Sequence, residues 1–135
     1  MIKRLTILIL FSTLASMLLA CSASVDEQEK ENTIGYFEVS VDEAYYIYKN
    51  EEMIILDVRT EQEYKEGHIP GAILIPLQEL ESRLDELDKE EKYLIVCRSG
   101  SRSAQASEIL VSNGFKHITN MQGGMLDWKY DIEKS

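Results

Sequence analysis

The stretch that most restricts how this chain can fold is Tyr93-Leu94-Ile95-Val96-Cys97-Arg98-Ser99-Gly100-Ser101-Arg102-Ser103. Residues 93–96 are apolar without interruption and end in two β-branched side chains. A strand with one wet face alternates polar and apolar residues, whereas an unbroken apolar run needs cover on both faces. The run breaks into a short loop of Ser, Gly and Arg. From Ser103 the pattern turns helical, with Ala104, Ala106, Ile109 and Leu110 available for an apolar side. Strand, tight loop, helix is an arrangement that aims backbone N–H groups and a helix N-terminus at whatever the loop holds. The first loop position is a cysteine.

The rest of residues 34–132 repeats this alternation. Tyr36–Val39 reads as a short strand. Ser40 with Glu43 forms a capping box that opens a helix through Ala44, Tyr45, Ile47 and Tyr48, closed by Asn50. Met53–Val58 is a second apolar strand, and Thr60 with Glu63 opens a brief helix that Gly67 ends. Ala72–Ile75 is a third strand. Leu77, Leu80, Leu84 and Leu87 then fall at helical spacing after Pro76. The helix from Ser103 stops at Asn113-Gly114, His117–Asn120 is a fifth strand, and Met125–Tyr130 a final short helix after Gly123-Gly124. Apolar strands alternating with helices predict an α/β domain with a mainly parallel sheet of about five strands and helices on both faces. In such sheets ligands sit beyond the carboxyl ends of the strands. Cys97 falls at that edge, and so does Asp57-Val58-Arg59.

A free thiol has a pKa of about 8.5, which a helix N-terminus or a neighbouring Arg lowers. Cys97 has both at hand, the helix after Ser103 and the side chains of Arg98 and Arg102. Gly100 permits a turn that a Cβ would resist, so successive amides can converge on one point. Such a cup stabilises an anion, whether a thiolate or a group bound to it, and an Arg fork holds sulfur oxyanions or phosphoryl groups equally well. A buried small hydrophobe is the other reading of a cysteine at a strand end. The loop that follows favours the reactive one.

The N-terminus reads as an export signal. Lys3 and Arg4 precede an apolar stretch, Leu5 to Leu19, too short for the roughly 20 residues of a spanning helix. The ending Leu18-Leu19-Ala20-Cys21 resembles a bacterial lipobox, which implies cleavage after residue 20 and lipid modification of Cys21. Residues 22–33 are polar and acidic, the composition of a disordered tether. The expected organisation is therefore a signal peptide over 1–20, a lipidated Cys21 with its tether over 21–33, and a domain over 34–132. That organisation places the domain in the bacterial cell envelope, anchored on the extracytoplasmic side. Only two cysteines occur in the sequence. With Cys21 lipidated, Cys97 has no partner within the chain, so it is expected to do chemistry rather than staple the fold. The formal charge is −10, and losing Lys3 and Arg4 takes it to −12. This argues against nucleic acid as a partner and against electrostatic adhesion to anionic lipid.

Taken together, Ile55-Leu56-Asp57-Val58-Arg59, Glu63-Tyr64, Gly67-His68-Ile69-Pro70-Gly71-Ala72, Cys97 to Ser103, Gly114-Phe115 and Gly123-Gly124 with Trp128 resemble the single-domain rhodanese (thiosulfate sulfurtransferase) family. Each motif is weak alone, and their joint order is specific. The resemblance implies that Cys97 attacks the outer sulfur of thiosulfate or a related sulfane donor and carries it as a persulfide. It implies that Arg98, Ser99, Gly100, Ser101, Arg102 and Ser103 bind the substrate or stabilise the persulfide. The donor is then a small sulfur-containing anion. The acceptor is cyanide, a thiol, or a protein such as a thioredoxin-like partner. No metal or organic cofactor is implied.

Several residues keep two roles open. Arg102 either touches the donor or turns inward to brace the loop. Asp57 and Arg59 suit a structural pair that pins a neighbouring loop, although Arg59 could border the pocket. His68 is a candidate base, yet within Gly-His-Ile-Pro-Gly-Ala it is better placed to fix a turn. Two other functions compete. A rhodanese-like cysteine phosphatase has five residues between Cys and Arg, whereas Arg98 to Ser101 supply four and make a smaller cup. A persulfide carrier or binding module would share the fold without turnover.

Overall fold

The computed structural model describes residues 35–135. The expected export signal, the lipidation expected at Cys21 and the expected tether lie outside the described residues. Five strands form one sheet: β1 (Phe37–Val39), β2 (Ile54–Asp57), β3 (Ile73–Leu74), β4 (Lys92–Val96) and β5 (His117–Met121), in the order β1-β5-β4-β2-β3. Every pairing between them is parallel, and β4 sits in the middle with β2 and β5 as neighbours. The helices are α1 (Val41–Asn50), α2 (Glu61–Glu66), α3 (Leu77–Leu80), α4 (Ser101–Ser112) and α5 (Gly124–Asp127).

Alternate residues of the apolar runs supply two separate cores. Leu56, Tyr93, Ile95, Cys97 and Ile118 pack with Leu80, Ala106, Leu110 and Phe115. Ile55, Leu94, Val96 and Met121 pack with Val41, Ala44, Ile69 and Trp128 on the other side. This double cover is why the central strands carry no polar alternation. Both capping boxes are formed. Ser40 Oγ and Thr60 Oγ1 accept from the N–H groups of Glu43 and Glu63, whose carboxylates reach back to the cap backbone.

Every strand shifts by one residue at one or both ends from the sequence reading, and three helical segments differ by more. The helix expected from Ser103 begins at Ser101, because Gly100 (φ 98°) turns the chain directly into it and accepts the Ala104 N–H at 3.1 Å. The helical spacing from Leu77 to Leu87 is broken. α3 gives way to a 3₁₀ segment, Glu81–Glu86, in which Arg83 leaves helical geometry. Leu84 and Leu87 still reach the first core, which keeps the spacing apolar without a continuous helix. The last helix starts at Gly124 and stops at Asp127. Trp128 turns extended, its indole packing edge-on to Tyr45 and Tyr130.

Candidate active site

Cys97 follows β4 directly, at the carboxyl edge of the central strand, and is fully buried. The chain from Arg98 to Gly100 wraps around its sulfur. The Gly100 N–H donates to Sγ at 3.0 Å. The thiol donates to Ser103 Oγ at 3.3 Å, and the Ser103 hydroxyl donates to the Gly100 carbonyl at 3.0 Å. Burial works to raise the Cys97 pKa. The Ser103 hydroxyl and the backbone N–H groups of Ser103, Gly100 and Ser99 outweigh it, and the thiol ends below its ordinary value. Once the proton leaves, the Ser103 hydroxyl can rotate from the Gly100 carbonyl to the sulfur. The 12-residue helix α4 adds its positive end from the same side.

The loop is held from outside by the start of α5. The N–H groups of Met125 and Leu126 donate to the carbonyls of Cys97 and Arg98, both at 2.9 Å. This contact needs glycine at 124. Its φ is +60°, and a Cβ there would lie 2.5 Å from the Arg98 carbonyl carbon and 2.6 Å from the Cys97 oxygen. In sequence, Gly123-Gly124 shows as punctuation between a strand and a helix and as one of the family motifs, and neither gives its contact with the loop.

The three arginines near the loop have different surroundings. Arg59 is buried. It binds Asp57 through Nε (3.0 Å to both carboxylate oxygens) and Nη2 (2.7 Å), and donates to the Gly67 carbonyl at 2.8 Å. Arg102 is engaged by Glu63 through two hydrogen bonds of 2.8 Å, which occupies its fork with the bracing role. Arg98 is exposed and forms no ion pair with any described residue. Ser99 and Ser101 are exposed at the rim, and Ser103 is buried beneath the sulfur. His68 lies against α2, away from the sulfur's contacts. Its Nδ1 is 2.8 Å from the Tyr64 carbonyl, its ring stacks on Tyr64 at 3.6 Å, and its backbone bridges Glu133. These contacts fix a turn.

A cleft of about 300 Å³ adjoins the loop. Its polar wall is Arg59, Glu63, Glu66 and Arg98, and its apolar wall is Met125, Leu126, Trp128 and Ile132. The sequence reading found neither Glu63 in this role nor the apolar wall. Glu63 stood out as a capping residue and as part of the Glu63-Tyr64 motif, neither of which names Arg102 as its partner, and Ile132 falls in a short polar tail.

The chain is similar to known proteins in sequence and in fold. The family model described as "Rhodanese-like domain" matches residues 40–131. The "Putative sulfur carrier protein YrkF" of Bacillus subtilis is 40% identical over 104 residues, 76% of this chain, which spans 56% of that protein's length. The "Thiosulfate sulfurtransferase GlpE" of Coxiella burnetii is 33% identical over 94 residues, covering 70% of this chain and 88% of that one. Among solved structures, a rhodanese-like domain protein from Staphylococcus aureus superposes with a TM-score of 0.68 at 36% identity, covering 73% of this chain and 98% of that one.

Proposed function

The chain belongs to the rhodanese-like domain family, and from that premise we propose that it is a sulfurtransferase working through a persulfide on Cys97. The observation that carries the proposal is the sulfur's setting. A buried thiol with a lowered pKa receives the Gly100 N–H at the mouth of a helix. In the first step the Cys97 thiolate attacks the outer sulfur of the donor. A new S–S bond forms, the donor's own S–S bond breaks, and its electron pair leaves with the departing group, sulfite in the case of thiosulfate. In the second step a thiophilic acceptor, cyanide or a thiol, attacks the outer sulfur and Cys97 leaves as thiolate. No net oxidation occurs in either step, so the reaction is ping-pong covalent catalysis. The loop amides that favour the thiolate favour the persulfide anion for the same reason.

A carrier role is the second reading. It draws on the relative named as a sulfur carrier. A carrier would use the same first step and wait for a partner thiol, since Cys97 is the only cysteine among the described residues. On the sequence pattern, the export signal over 1–20 and the lipobox at Cys21 complete the proposal: a domain over 34–132 tethered through residues 21–33 to the outer face of a membrane.

The test is an intact-mass measurement on the full-length chain in detergent, before and after thiosulfate and then cyanide. One added sulfur atom, removed by cyanide and absent in Cys97→Ser, is the expected result. Steady thiocyanate production then separates enzyme from carrier. A free thiol that gains no sulfur from any sulfane donor would overturn the proposal.

A further inference from the structure

Resting on the sulfurtransferase reading, we infer that the preferred sulfur donor is an organic persulfide with an apolar R group rather than the inorganic thiosulfate dianion. Charge is the first ground. Two of the three arginines at the site are neutralised, Arg59 by Asp57 and Arg102 by Glu63. Arg98 is left as the cation without an ion pair among the described residues, and Glu66 shares the cleft wall with it. Glu66 keeps its carboxylate exposed, engaged among the described residues by the Gln62 side-chain amide at 3.2 Å. A dianion would meet one free guanidinium and one free carboxylate. The chain's charge of −10 adds nothing to draw it in.

Size and polarity are the second ground. The cleft's volume is far beyond what thiosulfate needs and falls at the lower end of pockets for organic ligands. Its apolar wall is tied to the reactive loop. Met125 and Leu126 donate their N–H groups to the Cys97 and Arg98 carbonyls, so their side chains rise beside the sulfur's own segment. Leu126 is 62% exposed and Ile132 is 46% exposed, and with Met125 and Trp128 they line the same cleft as Arg98. Arg98, the residue after Cys97, lines the same cleft, so an R group seated there adjoins the reactive loop.

The step balances as before. Cys97–S⁻ attacks the outer sulfur of R–S–SH, the R–S bond to that sulfur breaks, and R–S⁻ leaves with the electron pair and takes a proton from water. Cys97 retains the transferred sulfur and its proton as a persulfide. The leaving group is a monoanionic thiolate that a near-neutral cleft tolerates better than sulfite.

The experiment compares second-order rates of persulfide formation on Cys97 of the full-length chain, with thiosulfate and with benzyl persulfide released from an acyl disulfide. A rate at least tenfold higher with benzyl persulfide is expected. Glu66→Lys, whose site is exposed and whose folding is checked by circular dichroism, should raise the thiosulfate rate by about tenfold at low salt and narrow the gap. Leu126→Ser should lower the benzyl persulfide rate more than the thiosulfate rate. An apolar peptide carrying a cysteine persulfide, run alongside, separates the sources: faster loading from it assigns a protein-borne donor, slower loading a small molecule. Thiosulfate equal to or faster than benzyl persulfide, or a gap that neither variant moves, overturns the inference and leaves the sulfurtransferase reading standing. Loading from no donor removes both.

Discussion

Arg102 and Glu63, 39 positions apart in the chain, are joined by two parallel hydrogen bonds of 2.8 Å, Nη1 to Oε2 and Nη2 to Oε1. The same carboxylate accepts the N–H and the hydroxyl of Thr60, each at 3.0 Å. One side chain therefore caps α2 and pins the first turn of α4, the turn whose amides face Cys97. Glu63 acts as a positioning residue on the reactive loop.

Glu63→Gln keeps a cap acceptor but removes the charge opposite Arg102. It should destabilise the domain by about 1–2 kcal/mol, because the pair is mostly shielded from water and one charge is left without its partner. The pH dependence separates this from ordinary packing loss. The Arg102 hydrogen bonds, opposed by burial and aided by Thr60, hold the Glu63 carboxyl down from 4.5 to about 2. A depressed carboxyl stabilises the fold above its unfolded pKa, and that contribution is lost as pH falls through the folded one. Urea unfolding between pH 5 and 2 should show wild type losing this increment progressively. Glu63→Gln should lack that part of the slope.

Ser103 tests the origin of the thiolate. Its hydroxyl is the first of the groups that lower the Cys97 pKa against burial. Ser103→Ala removes one donor and leaves burial in place, so the thiol should titrate higher. Alkylation of Cys97 by iodoacetamide, followed from pH 5 to 10, should reach half-maximal rate below the ordinary value of about 8.5 in the wild type. The variant should shift that midpoint upward and load sulfur more slowly at pH 7. An unmoved midpoint would assign the lowered pKa to the backbone amides alone.

Gly124 and Gly71 make a matched pair. Both have positive φ, +60° and +80°, so Ala at either costs about 1 kcal/mol or somewhat more in backbone strain. At Gly71 a Cβ meets nothing within 4 Å, and Gly71→Ala should cost little beyond that. At Gly124 it would run into the backbone of Cys97 and Arg98, which has no free end to move aside. Gly124→Ala should therefore lower the melting temperature by several degrees more than Gly71→Ala. It should also slow sulfur loading, because relieving the clash displaces the loop itself.

What could be read from the sequence follows physical range. The strands, the two capping boxes and the Cys97 loop depend on residues within a few positions of one another, and all were legible. Periodicity failed at Leu77–Leu87, where four leucines at helical spacing report which side is apolar but not whether the backbone stays helical between them. The α4 start was missed because Ser101 and Arg102 look like loop residues until Gly100 is known to be left-handed. The Arg102–Glu63 pair and the Gly124 contact with the loop join segments far apart in the chain, and so does the cleft that brings Leu126 and Ile132 together with Arg59 and Glu63. No local pattern encodes which distant segment a side chain will meet.

The proposed anchor makes a prediction of its own. Each buried CH₂ of an acyl chain contributes about 0.8 kcal/mol to membrane binding, so stable attachment takes two chains or one chain with a basic patch. Beyond Cys21 the chain is strongly acidic, with a formal charge of −12 once Lys3 and Arg4 are removed. Electrostatics would then oppose adhesion to an anionic surface, and lipid alone would hold the protein. Attachment should therefore survive a high-salt wash and yield to detergent. Cys21→Ser should abolish the lipid's mass increment and move the protein out of the detergent phase, while Cys97 in that variant still takes up sulfur. Release of the wild type by salt would point to a peripheral contact, and a Cys21→Ser variant that stays with the membrane would point to an uncleaved N-terminal segment as the anchor.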